Sequence, residues 1–173
     1  MKIVKLTEEQ ELDFIKLTQE LHDDMFRKDL YCPIEGTFLS ALQPGNHFSV
    51  GAYEGDELMG GFTVYFPTEE DSYSNYIDTK YDLDTVAHME NCAVVKKYRG
   101  KGLQAYLCQS CEQILKSDYP DRVNCLCTVH PKNRASLKNM IACDYKVIKK
   151  VEDLYGAYTR CILYKQLRGL LYG

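Results

Sequence analysis

Apolar and polar residues alternate over Lys2–Leu6, which predicts a first strand. Thr7-x-x-Gln10 reads as a capping box that opens a helix to about Leu21, with Leu12, Phe14, Ile15, Leu17 and Leu21 on its inner side. The following stretch, His22–Gln43, is mixed; Pro33 and Gly36 break it, and Ile34–Leu42 suggests a short helix. His47–Tyr53 and Glu57–Phe66 predict a hairpin around the two-residue turn Gly55-Asp56. Gly60-Gly61 inside its second arm predicts a bulge or a close approach. Pro67 to Asp84 is acidic, tyrosine-rich and aperiodic, a long loop with room for one short helix. A β-branched apolar run ends at Val95, and Leu103, Leu107, Cys111 and Ile114 then mark the inner face of a helix that Tyr119-Pro120-Asp121 ends. Val123–Val129 reads as the next strand, and Asn133 as the N-cap of a helix carrying Leu137, Met140 and Ile141. Tyr145–Val151 and Ala157–Leu167 read as two closing strands joined through Asp153–Gly156. The order β-α-(α)-β-β-β-α-β-α-β-β is mixed α/β.

Length and charge narrow the class. The 173 residues suit one domain spanning 1–173, and the net charge of −4 argues against a general nucleic-acid binder. No apolar run approaches the ~18 residues of a membrane helix, and the first nine residues turn acidic too soon for a secretory signal, so a cytoplasmic protein is expected. Eight cysteines raise zinc and disulfide readings. Cys108 and Cys111 fall on one predicted helix, however, and Cys125 and Cys127 on one face of a strand, so buried free thiols are the preferred reading and no metal is assigned.

The chemistry concentrates in Val86–Gln104. Strand, glycine-punctuated turn and helix form a natural anion site, because amides of the turn and first helical turn lack internal acceptors and the helix dipole adds positive potential. Gly100 and Gly102 let the main chain approach an anion, and Lys96, Lys97, Arg99 and Lys101 surround it with charge. A plain βα turn with a solvated basic face is the alternative.

Tyr98-Arg-Gly-Lys-Gly-Leu103 resembles the acetyl-CoA signature of the GNAT superfamily of N-acetyltransferases, R-x-x-G-x-G/A, with Arg99 and Gly102 matching and Gln104 in place of the final Gly or Ala. Thr128–Tyr145 resembles the family's next motif, a strand followed by N-x-x-[AS], here Asn133 and Ser136. The resemblance is sharp over about Thr85–Tyr145 and implies a mostly antiparallel mixed sheet with splayed central strands, flanked by helices. It implies acetyl-CoA as cofactor. Arg99, Gly100, Lys101, Gly102, Leu103 and Gln104 would hold its pyrophosphate, Ala93, Val94 and Val95 its pantetheine through the main chain, and Asn133 and Ser136 would make further contacts. The N–H near Val94 becomes the expected oxyanion donor, although helix capping explains Asn133 equally well.

An alkyl amine with a pKa of ~10.4 must lose a proton to attack, at a cost of about 4–5 kcal/mol near neutrality. His88 and Glu90 lie two apart on the central strand and share a face, and the resemblance implies Glu90 as base with His88 as partner or alternate; a polar pair capping the sheet is the competing reading. The family's tyrosine acid has no counterpart, since Met140 occupies its position and Asp144 replaces the glycine before Tyr145. Tyr106 and Tyr155 remain open as acids. Glu69, Glu70, Asp71 and the tyrosines of the acidic loop could meet a cationic amine, but a solvated loop is preferred. The expected activity is acetyl transfer to a primary amine of a small molecule or peptide by direct attack; the alternative is an acyl-CoA-binding sensor that has lost catalysis, and a third reading is a zinc-binding interaction domain. The closing strand pair is a candidate homodimer surface.

Overall fold

The computed structural model describes residues 1–154 and 158–167. The strands are β1 (Lys2–Lys5), β2 (His47–Glu54), β3 (Glu57–Tyr65), β4 (Val86–Val94), β5 (Asn124–Val129), β6 (Lys146–Leu154) and β7 (Tyr158–Gln166), and the helices are α1 (Glu8–Asp23), α2 (Gly36–Ala41), α3 (Leu103–Asp118) and α4 (Arg134–Ala142). They form one seven-stranded sheet in the order β1-β2-β3-β4-β5-β7-β6, antiparallel except for the β4–β5 pair. The mixed α/β order and the mostly antiparallel sheet follow the sequence reading. Part of the expected β6–β7 connection, including Tyr155, lies outside the described residues. Among the described residues no helix is long and apolar enough to cross a membrane.

Local chemistry sets the ends of α1. The Thr7 hydroxyl accepts from the Gln10 amide at 3.3 Å while Gln10 Oε1 accepts from the Thr7 amide at 3.0 Å, so two of the helix's orphan donors are satisfied together. The inner face is narrower than expected: Phe14 and Thr18 are fully buried, but Leu12 is 66 % exposed. Phe14 explains Gly61 of β3, where a Cβ would stand 2.6 Å from its ring, while a Cβ on Gly60 would stand 2.5 Å from Ala93 O of β4. Burial of that ring stabilises the α1–sheet contact by roughly 2 kcal/mol. The neighbouring Phe62 points to the other side, into the cluster with Leu107, Cys111 and Leu115 of α3. Helices α1 and α3 therefore cover opposite faces of the sheet.

Two irregularities shape β4. Facing β3, Phe62 pairs with Cys92 and Val64 with Met89, so Glu90 and Asn91 oppose Thr63 alone. This is a bulge with the extra residue in β4. Ahead of it Ala87 and Met89 join the α3-side cluster; past it Cys92 and Val94 do, while Ala93 turns to Phe14 and Ile34. Facing β5, the parallel pairing covers only Val86–His88 against Asn124–Leu126. Beyond that point the two strands part, as the splayed-sheet expectation requires.

The acidic loop is more ordered than a solvated connector. It holds two 3-10 turns, Tyr73–Tyr76 and Leu83–Thr85, rather than one short helix, and Tyr73 and Ile77 are buried in a second core with Val86, Leu126 and Ile162. Seven of the eight cysteines are buried or half-buried, with Cys108, Cys111, Cys125 and Cys127 in the main core.

Candidate functional site

The gap between the parted strands opens into a cleft of about 560 Å³. Met89 to Cys92 and Val94 form one wall, Cys127 to His130 the other, and the turn before α3 closes one end. Tyr31 and Cys32, on the segment between α1 and α2, and Arg160 of β7 complete the lining.

The turn is built for an anion. Gly100 and Gly102 both take left-handed backbone, φ 76° and 75°, which a side chain would strain. The amide of Arg99 donates to Lys96 O and those of Ala105 and Tyr106 donate to Gly102 O, but the five consecutive amides from Gly100 to Gln104 have no acceptor among the described residues. They surround the N-terminus of the 16-residue α3, whose N-cap is Gly102. Arg99 Nε donates to Val94 O at 2.9 Å and ties the turn back to the strand. Of the surrounding lysines, Lys97 is engaged with Glu57, and Lys101 sits 5.7 Å over the Tyr98 ring, outside the cleft lining.

The main chain of β4 sorts the expected strand contacts. Val95 N–H donates to Met59 O at 2.9 Å and its carbonyl accepts from Tyr98, so both its groups are taken. Strand alternation then aims Val94 N–H at the open edge and Ala93 N–H at β3. Gln104 and Ser136 meet one another instead of standing apart: Gln104 Nε2 donates to Ser136 Oγ at 3.3 Å, and Gln104 Oε1 accepts from Asn139 at 2.8 Å, bridging α3 to α4 at the cleft. Asn133 caps α4 through the Ser136 amide at 3.2 Å and donates to Leu30 O at 3.3 Å.

His88 and Glu90 do come together. His88 Nδ1 lies 3.3 Å from Glu90 Oε1, with His88 wholly buried and the Glu90 side chain 15 % exposed into the cleft. The amide of Tyr73 points at His88 Nε2 at 3.2 Å, and an amide can only donate. Nε2 is therefore the acceptor, the ring proton sits on Nδ1, and it points at Glu90. Tyr73 also stacks on the imidazole at 3.8 Å and donates its hydroxyl to the same Glu90 Oε1 at 2.6 Å. His88 is thus sealed behind the carboxylate, and Glu90 alone of the pair faces the cleft.

Several lining groups had no motif to announce them. Asn91 Oδ1 is buried without a hydrogen-bond partner among the described residues. His130 Nδ1 accepts from the Lys132 amide at 3.0 Å and its Nε2 lies 3.3 Å from Asp29; burial and the charge of Arg160 hold its pKa below the ordinary value. Burial pushes the Cys92 and Cys127 thiols up, away from nucleophilic thiolates. Tyr106, open as an acid from sequence, is 54 % exposed on α3 and outside the lining, while Met140 lies within it.

A family profile described as Acetyltransferase (GNAT) family matches residues 4–140. No protein among curated sequences matches the chain significantly. Solved structures share the fold at low identity. The smu.2055 protein of Streptococcus mutans aligns with a TM-score of 0.69 at 18 % identity, over 97 % of this chain and 100 % of its own. NAA60 of Arabidopsis thaliana, in complex with acetyl-CoA, gives 0.69 at 16 % identity over 95 % and 98 %. The yncA protein of Salmonella typhimurium, solved with its cofactor acetyl-CoA, gives 0.69 at 11 % identity over 100 % and 97 %.

Proposed function

This chain belongs to the acetyltransferase (GNAT) family, and from that premise we propose that it transfers an acetyl group from acetyl-CoA to a primary amine of a small molecule or peptide by direct attack. One observation carries the reading: five successive amides, Gly100 to Gln104, unpaired among the described residues, at the mouth of a cleft between parted strands. That donor set fits a diphosphate, and the open edge of β4 fits an amide-bearing arm such as pantetheine. Bound there, acetyl-CoA supplies an acyl group already activated as a thioester.

The chain's own residues supply the rest. Glu90 accepts the ammonium proton of the acceptor, directly or through one water. Tyr73 and His88 are positioning residues: their two donors hold Oε1 and fix the carboxylate at the cleft. Val94 N–H donates to the acyl oxygen as negative charge builds on it, a contribution of the kind worth about 3 kcal/mol where one such donor has been removed. The buried thiols offer no covalent relay. Met140 stands at the position of the family's tyrosine acid, which is what favours the second reading, an acyl-CoA sensor without turnover.

An amine panel with detection of released thiol separates the two, since turnover of any member sinks the sensor. Gly102→Asp tests the anion site itself. A carboxylate and a Cβ would enter a left-handed position among the unpaired amides. Calorimetric affinity for acetyl-CoA should fall about a hundredfold or more, with the fold retained by circular dichroism; unchanged affinity removes the reading.

A further inference from the structure

Among the described residues, Arg160 is a buried cation without a counter-ion. Its side chain is part of the cleft lining although the residue is only 3 % exposed. Nη1 donates to Thr159 O at 3.1 Å, Nη2 reaches Cys32 Sγ at 3.2 Å, and the guanidinium lies 5.1 Å over the Tyr158 ring. No carboxylate among the described residues lies within ion-pair distance of it. The same strand shows what the fold does with a cation it needs for itself: Lys165 of β7 touches both oxygens of buried Glu112, at 2.8 and 2.7 Å, and Cys143 O at 2.9 Å. A buried guanidinium with only a thiol, one carbonyl and an aromatic ring for company among the described residues is costly unless an anion arrives. The near carboxylate, Asp29, is already shared between Arg27 and His130.

The location says which anion. Diphosphate donors lie in the turn before α3, whereas Arg160 meets the segment between α1 and α2 and stands next to His130 at the end of β5. The cleft therefore presents a carboxylate, Glu90, on one strand and an uncompensated guanidinium on another. An acceptor bearing an ammonium and a carboxylate matches both.

We infer that Arg160 binds a carboxylate of the acceptor, so that the substrate is an amine that also carries a carboxylate group, as a free amino acid or an acidic peptide does. The planar fork of Arg favours this bidentate partner over a lone carbonyl. The inference rests on the acetyltransferase reading and names its substrate class.

The test compares matched acceptors: L-lysine with cadaverine, L-phenylalanine with phenethylamine, and, for peptides, alanyl-aspartic acid amide with alanyl-asparagine amide. The wild-type protein should favour the carboxylate-bearing member by tenfold to a hundredfold in kcat/KM, mainly through KM. The first two pairs answer for free amino acids and the third for acidic peptides. Arg160→Gln should bring the ratio to within about twofold of one, and Arg160→Lys should leave it in between. A wild-type ratio near one in every pair overturns the inference while leaving acetyl transfer standing, and so does a ratio that Arg160→Gln does not change. A tenfold loss of acetyl-CoA affinity in Arg160→Gln would assign the guanidinium to the coenzyme and also overturn it. Should Arg160→Gln fail to fold, the wild-type ratios and Arg160→Lys decide. Should no amine turn over, the acetyltransferase reading fails, and calorimetry with N-acetyl-L-phenylalanine against N-acetylphenethylamine in the presence of CoA decides the carboxylate preference by itself.

Discussion

His47 with Glu11 and His88 with Glu90 are the same two side chains at nearly the same separation, 3.2 and 3.3 Å, in two regions of one sheet. Their surroundings make them different devices. His47 Nδ1 faces Gln43 O at 3.0 Å, and a carbonyl only accepts, so Nδ1 must donate while Nε2 faces Glu11. An acceptor at each nitrogen favours the charged ring, whose pKa is raised, and the pair is a clamp between α1 and β2. His88 has an amide aimed at one nitrogen, so it holds a single proton and spends it on Glu90. A backbone N–H in place of a backbone C=O converts a clamp into a carboxylate holder. A histidine–glutamate pair read from sequence is therefore ambiguous until the partner of the far nitrogen is known.

The sharpest way to break the contrast is to neutralise each carboxylate. Glu90→Gln should lower kcat by a factor of about 10²–10⁴, the usual share of a general base, with thermal stability little changed. If turnover survives within threefold, Glu90 belongs with the clamp and not with the chemistry. Tyr73→Phe is the next test, since it removes one donor from Glu90 Oε1 and keeps the stacked ring. A fall in kcat of about tenfold with acetyl-CoA affinity unchanged marks Tyr73 as a positioning residue; a loss of stability alone would make the loop merely structural.

Glu11→Gln should act the opposite way, costing about 1 kcal/mol of stability in urea unfolding and sparing kcat. Its pH dependence carries the sign. The hydrogen bond to Glu11 raises His47 above its ordinary 6.5 against the opposing effect of burial, so that stabilisation is complete below 6.5 and is lost as pH rises through the raised value. Burial would raise Glu11, but His47 and Ser49 together outweigh it and hold Glu11 below its ordinary 4.5, so that part is present above 4.5 and is lost as pH falls through the lowered value. The clamp is strongest between about 4.5 and 6.5, and Glu11→Gln should flatten the wild-type decline in stability above that window.

Much of this molecule was legible in order. Capping at Thr7 and Asn133, the turn at Gly55-Asp56, and the glycine turn before α3 are local signals with local causes, and all formed where the pattern put them. What escaped was set by long-range contact. Leu12 fits a helical stripe, yet the sheet accepts only the narrower face around Phe14 and Thr18. The loop from Pro67 to Asp84 has a polar composition, but Tyr73 reaches fifteen residues along the chain to stack on His88, and nothing nearby in sequence encodes that. The β4 bulge at Glu90-Asn91 is hidden because the run alternates smoothly on paper while its apolar side changes from odd to even positions. Arg160 and His130 come from separate strands and form a neighbourhood only after folding.

The withdrawal of seven thiols from the surface leaves Cys32 as the exposed one, next to Arg160. Nature has thus provided a single chemical handle at the rim. A maleimide dye placed there would watch ligands come and go by fluorescence, with every native residue still in place.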